Sequence, residues 1–66
     1  MREPIYIVQF QRYDSLPNEE YYYHDKDEAE QHLRLFQCDD SGLYKRIVLL
    51  EWVGDETVEL RSIDFE

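Results

Sequence analysis

The sequence predicts a single small α+β domain in the order β-β-α-β-β, a four-stranded antiparallel sheet with one helix on one face. Three observations predict it. One stretch carries apolar residues at helical spacing behind a capping residue. Four stretches are dense in β-branched and aromatic residues, and short segments with turn chemistry part them. Sixty-six residues make one domain and no more.

The first strand is read over Ile5 to Tyr13, with Pro4 at its front edge, where a missing N–H costs little. Asp14 to Glu19 reads as a loop, Pro17-Asn18 suiting the two central positions of a turn. Glu20 to His24, with three consecutive tyrosines, is the second strand and runs antiparallel to the first. Asp25 then caps a helix, and Glu28 three residues on makes a carboxylate variant of the capping box. Asp27, Glu28 and Glu30 crowd the first turns, where the helix dipole favours negative charge. Ala29, Leu33 and Phe36 form one apolar stripe, and Cys38 to Gly42 ends the helix. Leu43 to Val53 is the third strand and Thr57 to Phe65 the fourth, with Gly54-Asp55-Glu56 as the hairpin between them.

One helix covers one face of such a sheet, yet the first and third strands are apolar on both. A half-solvated strand alternates apolar with polar residues. Tyr6, Val8 and Phe10 with Val48, Leu50 and Trp52 are therefore expected to form a face shielded by a second copy of the chain or a partner protein. The competing expectation is a curved sheet that closes partly on itself. Trp52 is expected either in such an interface or packed against Leu60 or Ile63.

Charge narrows the function classes. The formal net charge of −9 alone would point toward disorder, but 15% of the residues are aromatic and disordered chains are poor in such residues, so the chain is read as folded. Nine acids (Asp14, Glu19, Glu20, Asp25, Asp27, Glu28, Glu30, Asp39, Asp40) face only Lys26 and Arg34 across residues 14–40. Such a field repels nucleic acid and anionic membranes and attracts basic surfaces. A direct nucleic-acid binder shows the reverse, a basic stripe beside its aromatics. The expected partner is thus a protein with a basic surface. The candidate contact residues are Glu19, Glu20, Tyr21, Tyr22, Tyr23, Asp25, Asp27, Glu28, Glu30, Asp39 and Asp40, tyrosine supplying large rigid contact area at interfaces. The bland reading of the same acids is a solvated surface kept charged for solubility.

Catalytic and cofactor signals are thin. His24, His32 and Glu28 suggest a metal only through the i, i+4 spacing of Glu28 and His32. Without paired cysteines or a His-x-x-x-His motif, His32 is better read as a helix-surface residue and His24 as a strand end. Cys38, the only cysteine, has no acid–base partner at a recognisable spacing and reads as an ordinary thiol at a helix end. No cofactor motif is present, and a chain this short has little bulk to enclose a pocket. The expectation is a protein that binds rather than catalyses. The lone cysteine and the lack of a long apolar run near Met1 point to a reducing cytoplasm.

In size, charge and layout the chain resembles the small acidic proteins that phages and other mobile elements use against host enzymes. Anti-restriction, anti-CRISPR and uracil-DNA glycosylase inhibitors are of this type. The resemblance covers the whole chain as a type and contains no shared motif, so no site residue is transferred by it. It implies an inhibitor that occupies a basic groove as a nucleic-acid mimic. A structural or regulatory accessory protein that homo-oligomerises through its sheet face is the alternative.

Overall fold

β-Branched and aromatic side chains over Ile5–Arg12 make the first strand, β1. In this computed structural model, which describes residues 3–13, 16–40 and 42–65, it is followed by β2 (Glu19–Tyr23), α1 (Lys26–Leu35), β3 (Tyr44–Val53) and β4 (Glu56–Asp64). The order and number of elements are those the sequence predicts. Asp14, Ser15 and Ser41, which the sequence assigns to connections, lie outside the described residues.

All pairings are antiparallel, in the strand order β2-β1-β3-β4. The two most apolar strands occupy the centre, while acidic β2 and the charge-rich β4 take the edges, where unpaired backbone meets water. The sheet is open. β2 and β4 do not meet, so the partial closure weighed from the sequence does not occur. Gly54 opens the β3–β4 hairpin with φ +63°, a conformation an L-residue adopts only with strain. Positive φ at the first turn position is the type II′ pattern that matches strand twist. Leu60 is the extra residue of a bulge between Leu49 and Leu50 on the opposite strand.

Asp25 caps α1 as its sequence position suggests. Its backbone is extended, and its Oδ1 accepts the Asp27 N–H at 2.9 Å. The helix regular hydrogen bonding ends at Leu35, and Phe36 to Cys38 form a tighter turn, with Gln37 N–H donating to the Arg34 carbonyl at 3.1 Å. Ala29 and Leu33 are fully buried, and they meet Tyr6, Val8 and Phe10 of β1 and Ile47 and Leu49 of β3. Tyr23, Phe36, Tyr44, Ile63 and Phe65 close the rim of this core.

The register corrects the expected second face. Val8 pairs with Leu49 and Phe10 with Ile47, so even residues of β1 share a side with odd residues of β3. Tyr6, Val8 and Phe10 therefore lie under the helix and are buried, not grouped with Val48, Leu50 and Trp52. The face away from the helix instead carries Ile5, Ile7, Val48, Leu50 and Trp52, joined by Tyr22, which pairs with Ile7; Ile7 and Val48 are buried there by their neighbours, while Trp52 and Tyr22 stay exposed. Alternation within one strand was readable; which parity of β1 faces which parity of β3 depends on register alone. Ile63 lies on the helix side, so it is not a packing partner of Trp52, whose cross-strand neighbour is Thr57.

Candidate protein-binding surface

β2 is the edge strand at the acidic side of the molecule, and its alternation sends its side chains to both faces of the sheet. Glu19, Tyr21 and Tyr23 stand on the helix side; Glu20 and Tyr22 stand on the open side. Each face thus carries one tyrosine–glutamate pair two residues apart. The Tyr21 hydroxyl donates to Glu19 Oε1 at 2.9 Å, and the Tyr22 hydroxyl donates to Glu20 Oε1 at 3.0 Å. β1 supplies a second donor to each carboxylate. Arg12 Nη1 binds Glu19 Oε2 at 2.5 Å, and Gln9 Nε2 donates to Glu20 Oε2 at 2.9 Å.

These bonds fix the charges in place. The Tyr21 hydroxyl, then Arg12, hold the Glu19 carboxyl below the usual carboxylate range. The two phenols are raised in return, each chiefly because its hydroxyl is bonded to a glutamate. Both glutamates are acceptors with defined orientation, and both tyrosines keep more than two fifths of their surface exposed. Preorganised groups of this kind lose less freedom on binding a partner.

The start of α1 continues the acidic edge. Asp25, Asp27 and Glu28 are exposed there, directly after β2 in the chain. Glu30 is half-buried and sits 4.0 Å from both Arg34 and Arg61, so its charge is partly spent within the fold. Asp39 and Asp40 follow the far end of the helix, about 15 Å along its axis from Asp25. The eleven predicted contact residues therefore divide into a β2–α1 edge, a bridging Glu30 and an Asp39–Asp40 corner beyond the other end of α1.

His32 is placed differently from its predicted helix-surface position. It is half-buried beneath β2, its ring 4.8 Å from that of Tyr21, 5.3 Å from Phe10 and 5.7 Å from both Tyr23 and Phe36. The Tyr23 hydroxyl and His32 Nδ1 are 2.6 Å apart. Burial lowers the histidine pKa and so favours the neutral ring, whose Nε2–H tautomer accepts a hydrogen bond from the Tyr23 hydroxyl at Nδ1. This bond ties the tyrosine strand to the helix. Its sequence signal was the spacing of His32, three residues after Ala29 and four before Phe36, beside the apolar stripe.

A pH effect follows from that burial. Between the folded-state pKa and about 6.5 the unfolded chain binds more protons, so stability rises with pH across that window. The stability is complete above about pH 6.5 and is lost as pH falls through the depressed value. Thermal melts at a series of pH values should show a steeper slope there for the parent than for His32→Gln, with exposed His24 common to both. Parallel slopes would remove His32 as the cause. Glu28, which borders the same groove with Tyr23, Gln31 and Leu35, is retained in both proteins.

Among the described residues no three of His, Cys, Asp and Glu converge as a metal site. Cys38 is an exposed free thiol. No helix of the described residues is long and apolar enough to cross a membrane. No protein-family model, curated protein or solved structure matches the chain.

Proposed function

We propose that this chain is a non-enzymatic protein-binding module that docks on a basic protein surface through the β2–α1 edge. The observation that carries this reading is the edge strand itself. Both of its faces present a tyrosine hydrogen-bonded to an oriented glutamate, and the acidic first turn of α1 extends the same border. An edge strand also offers unpaired backbone groups to a partner. The inferred partner is a protein that handles nucleic acid, whose basic groove is the natural complement of a chain with net charge −9. An inhibitor of phage or mobile-element origin, acting as a nucleic-acid mimic, is the biological role this chemistry supports.

The test is capture by the immobilised chain from a bacterial lysate at low and high salt, with mass spectrometry of what is retained. A basic protein held at low salt, and displaced by duplex DNA, is the expected result. Replacing Glu20, Asp27 and Glu28 by their amides should weaken that binding about tenfold, since each exposed charge contributes roughly 0.5 kcal/mol. Asp25 is left intact, because losing the helix cap would cost about 1 kcal/mol of folding and confuse the result. Retention indifferent to salt and to the triple replacement would sink the reading.

A second reading is self-association through the open sheet face, favoured by Trp52, which is 40% exposed beside Ile5 and Leu50. Sedimentation of the Leu50→Asp chain against the parent tests it.

A further inference from the structure

At the far end of α1 the fold leaves an open notch of about 420 Å³, lined by Tyr13, Asp39, Asp40, Gly42, Tyr44 and Phe65. Its walls are tied down by backbone hydrogen bonds of 3.1 Å. Tyr13 N–H donates to the Leu43 carbonyl, Phe65 N–H to Lys45 and Asp39 N–H to Phe36. Tyr44 and Phe65 also pack against the hydrophobic core, so two of the three rings are supported from behind. Gly42, with φ +77°, leaves open space where a Cβ would stand.

Three aromatic rings and two carboxylates around one opening have the chemistry of a cation site. Ring faces attract a cation, and the planar, weakly hydrated guanidinium stacks on rings while its N–H groups reach carboxylates. The fold uses this chemistry once within itself. The Arg12 guanidinium lies 5.8 Å from the Tyr44 ring centroid while it binds Glu19. Burial chiefly, then the charges of Glu19 and Asp39, raise the Tyr44 phenol against the opposing effect of Arg12. The notch therefore adjoins the Glu19 end of the β2 edge.

We propose that this notch receives an arginine side chain of the basic partner, seated between the rings of Tyr13, Tyr44 and Phe65 and the carboxylates of Asp39 and Asp40. The proposal rests on the β2–α1 reading and adds a specific anchor to it, because a buried arginine in an aromatic pocket is a typical hot spot.

The experiment is an NMR titration of the isotope-labelled full chain. Its probes are an end-capped Gly-Arg-Gly peptide, the same peptide with citrulline in place of arginine, and arginine amide. The expected result is saturable shifts at Gly42, Tyr44 and Phe65 with the arginine peptide and none with citrulline. Asp39→Asn with Asp40→Asn should weaken binding about fivefold, by the loss of two charge contacts near the surface, while the core signals stay in place. Tyr13→Ala, at an exposed ring, should weaken it by a similar factor. Equal binding of citrulline, or shifts spread evenly over Glu20, Asp27 and Glu28, would overturn the proposal. Arginine amide binding more tightly than the peptide would also overturn it, in favour of a small-molecule site. A lysate partner captured equally by the parent and by the Asp39→Asn, Asp40→Asn chain removes the notch and leaves the β2–α1 reading standing. Saturable arginine binding in the notch, with capture insensitive to Glu20, Asp27 and Glu28, removes the β2–α1 edge instead.

Discussion

A Val8→Asp chain is expected not to fold, whereas Leu50→Asp is expected to fold with a small loss. The two positions are one strand apart and both apolar, so the sequence alone treats them alike. Val8 is fully buried on the helix side, packed in the cluster that holds Ala29, Leu33 and Leu49. A carboxylate there has no cation within its core cluster and would cost several kcal/mol even after protonation. A 66-residue domain has a total stability of roughly 3–10 kcal/mol, so that penalty removes most or all of it. Leu50 is only half-buried on the face away from the helix, where an introduced carboxylate can still reach water. Far-UV circular dichroism and amide peak dispersion separate the outcomes. If both chains unfolded, the open face would be as buried as the helix face and a second layer would have to cover it. On the self-association reading, Leu50→Asp also converts an oligomer to a monomer in sedimentation.

The second large effect is expected at Phe10. Its ring is 1% exposed and lies at the centre of an aromatic cluster drawn from three other elements and the turn after α1. The centroids of Phe36, Tyr44, His32 and Tyr21 stand 4.9, 5.0, 5.3 and 5.6 Å away, three of them edge-to-face. Phe10→Ala removes the hub and leaves a cavity, at a cost of about 3–5 kcal/mol. Urea denaturation should show the chain largely unfolded or close to it at neutral pH. Phe10→Leu refills much of the volume and should recover more than half of the loss. A cost below about 1 kcal/mol for Phe10→Ala would show that the ring is not the keystone of this packing.

Element type and order were legible because each rests on local chemistry. Asp25 caps the helix because a short carboxylate reaches the N–H two residues on, which needs no distant partner. Ala29 and Leu33 are buried because helical periodicity places them on one stripe. Gly54 turns the hairpin because it tolerates positive φ. The position of the acids along the chain was equally readable. Their grouping in space was not. Glu19 and Glu20 are neighbours in sequence yet stand on opposite faces of the sheet, and Asp39 and Asp40 belong with Tyr13, Tyr44 and Phe65 rather than with Asp27 and Glu28.

By itself, then, the sequence determined the β-β-α-β-β order, the capped helix, the hairpin turn and the acidic, tyrosine-rich character of residues 19–30. The tertiary structure alone decided the strand order β2-β1-β3-β4, the open face of Ile5, Ile7, Val48, Leu50 and Trp52, the burial of His32 and the aromatic notch. The physical reason is range. Caps, turns and periodicity are settled among residues a few positions apart, whereas register pairs residues far apart in the chain, such as Val8 and Leu49, and a one-residue slip there would exchange the faces of a whole strand.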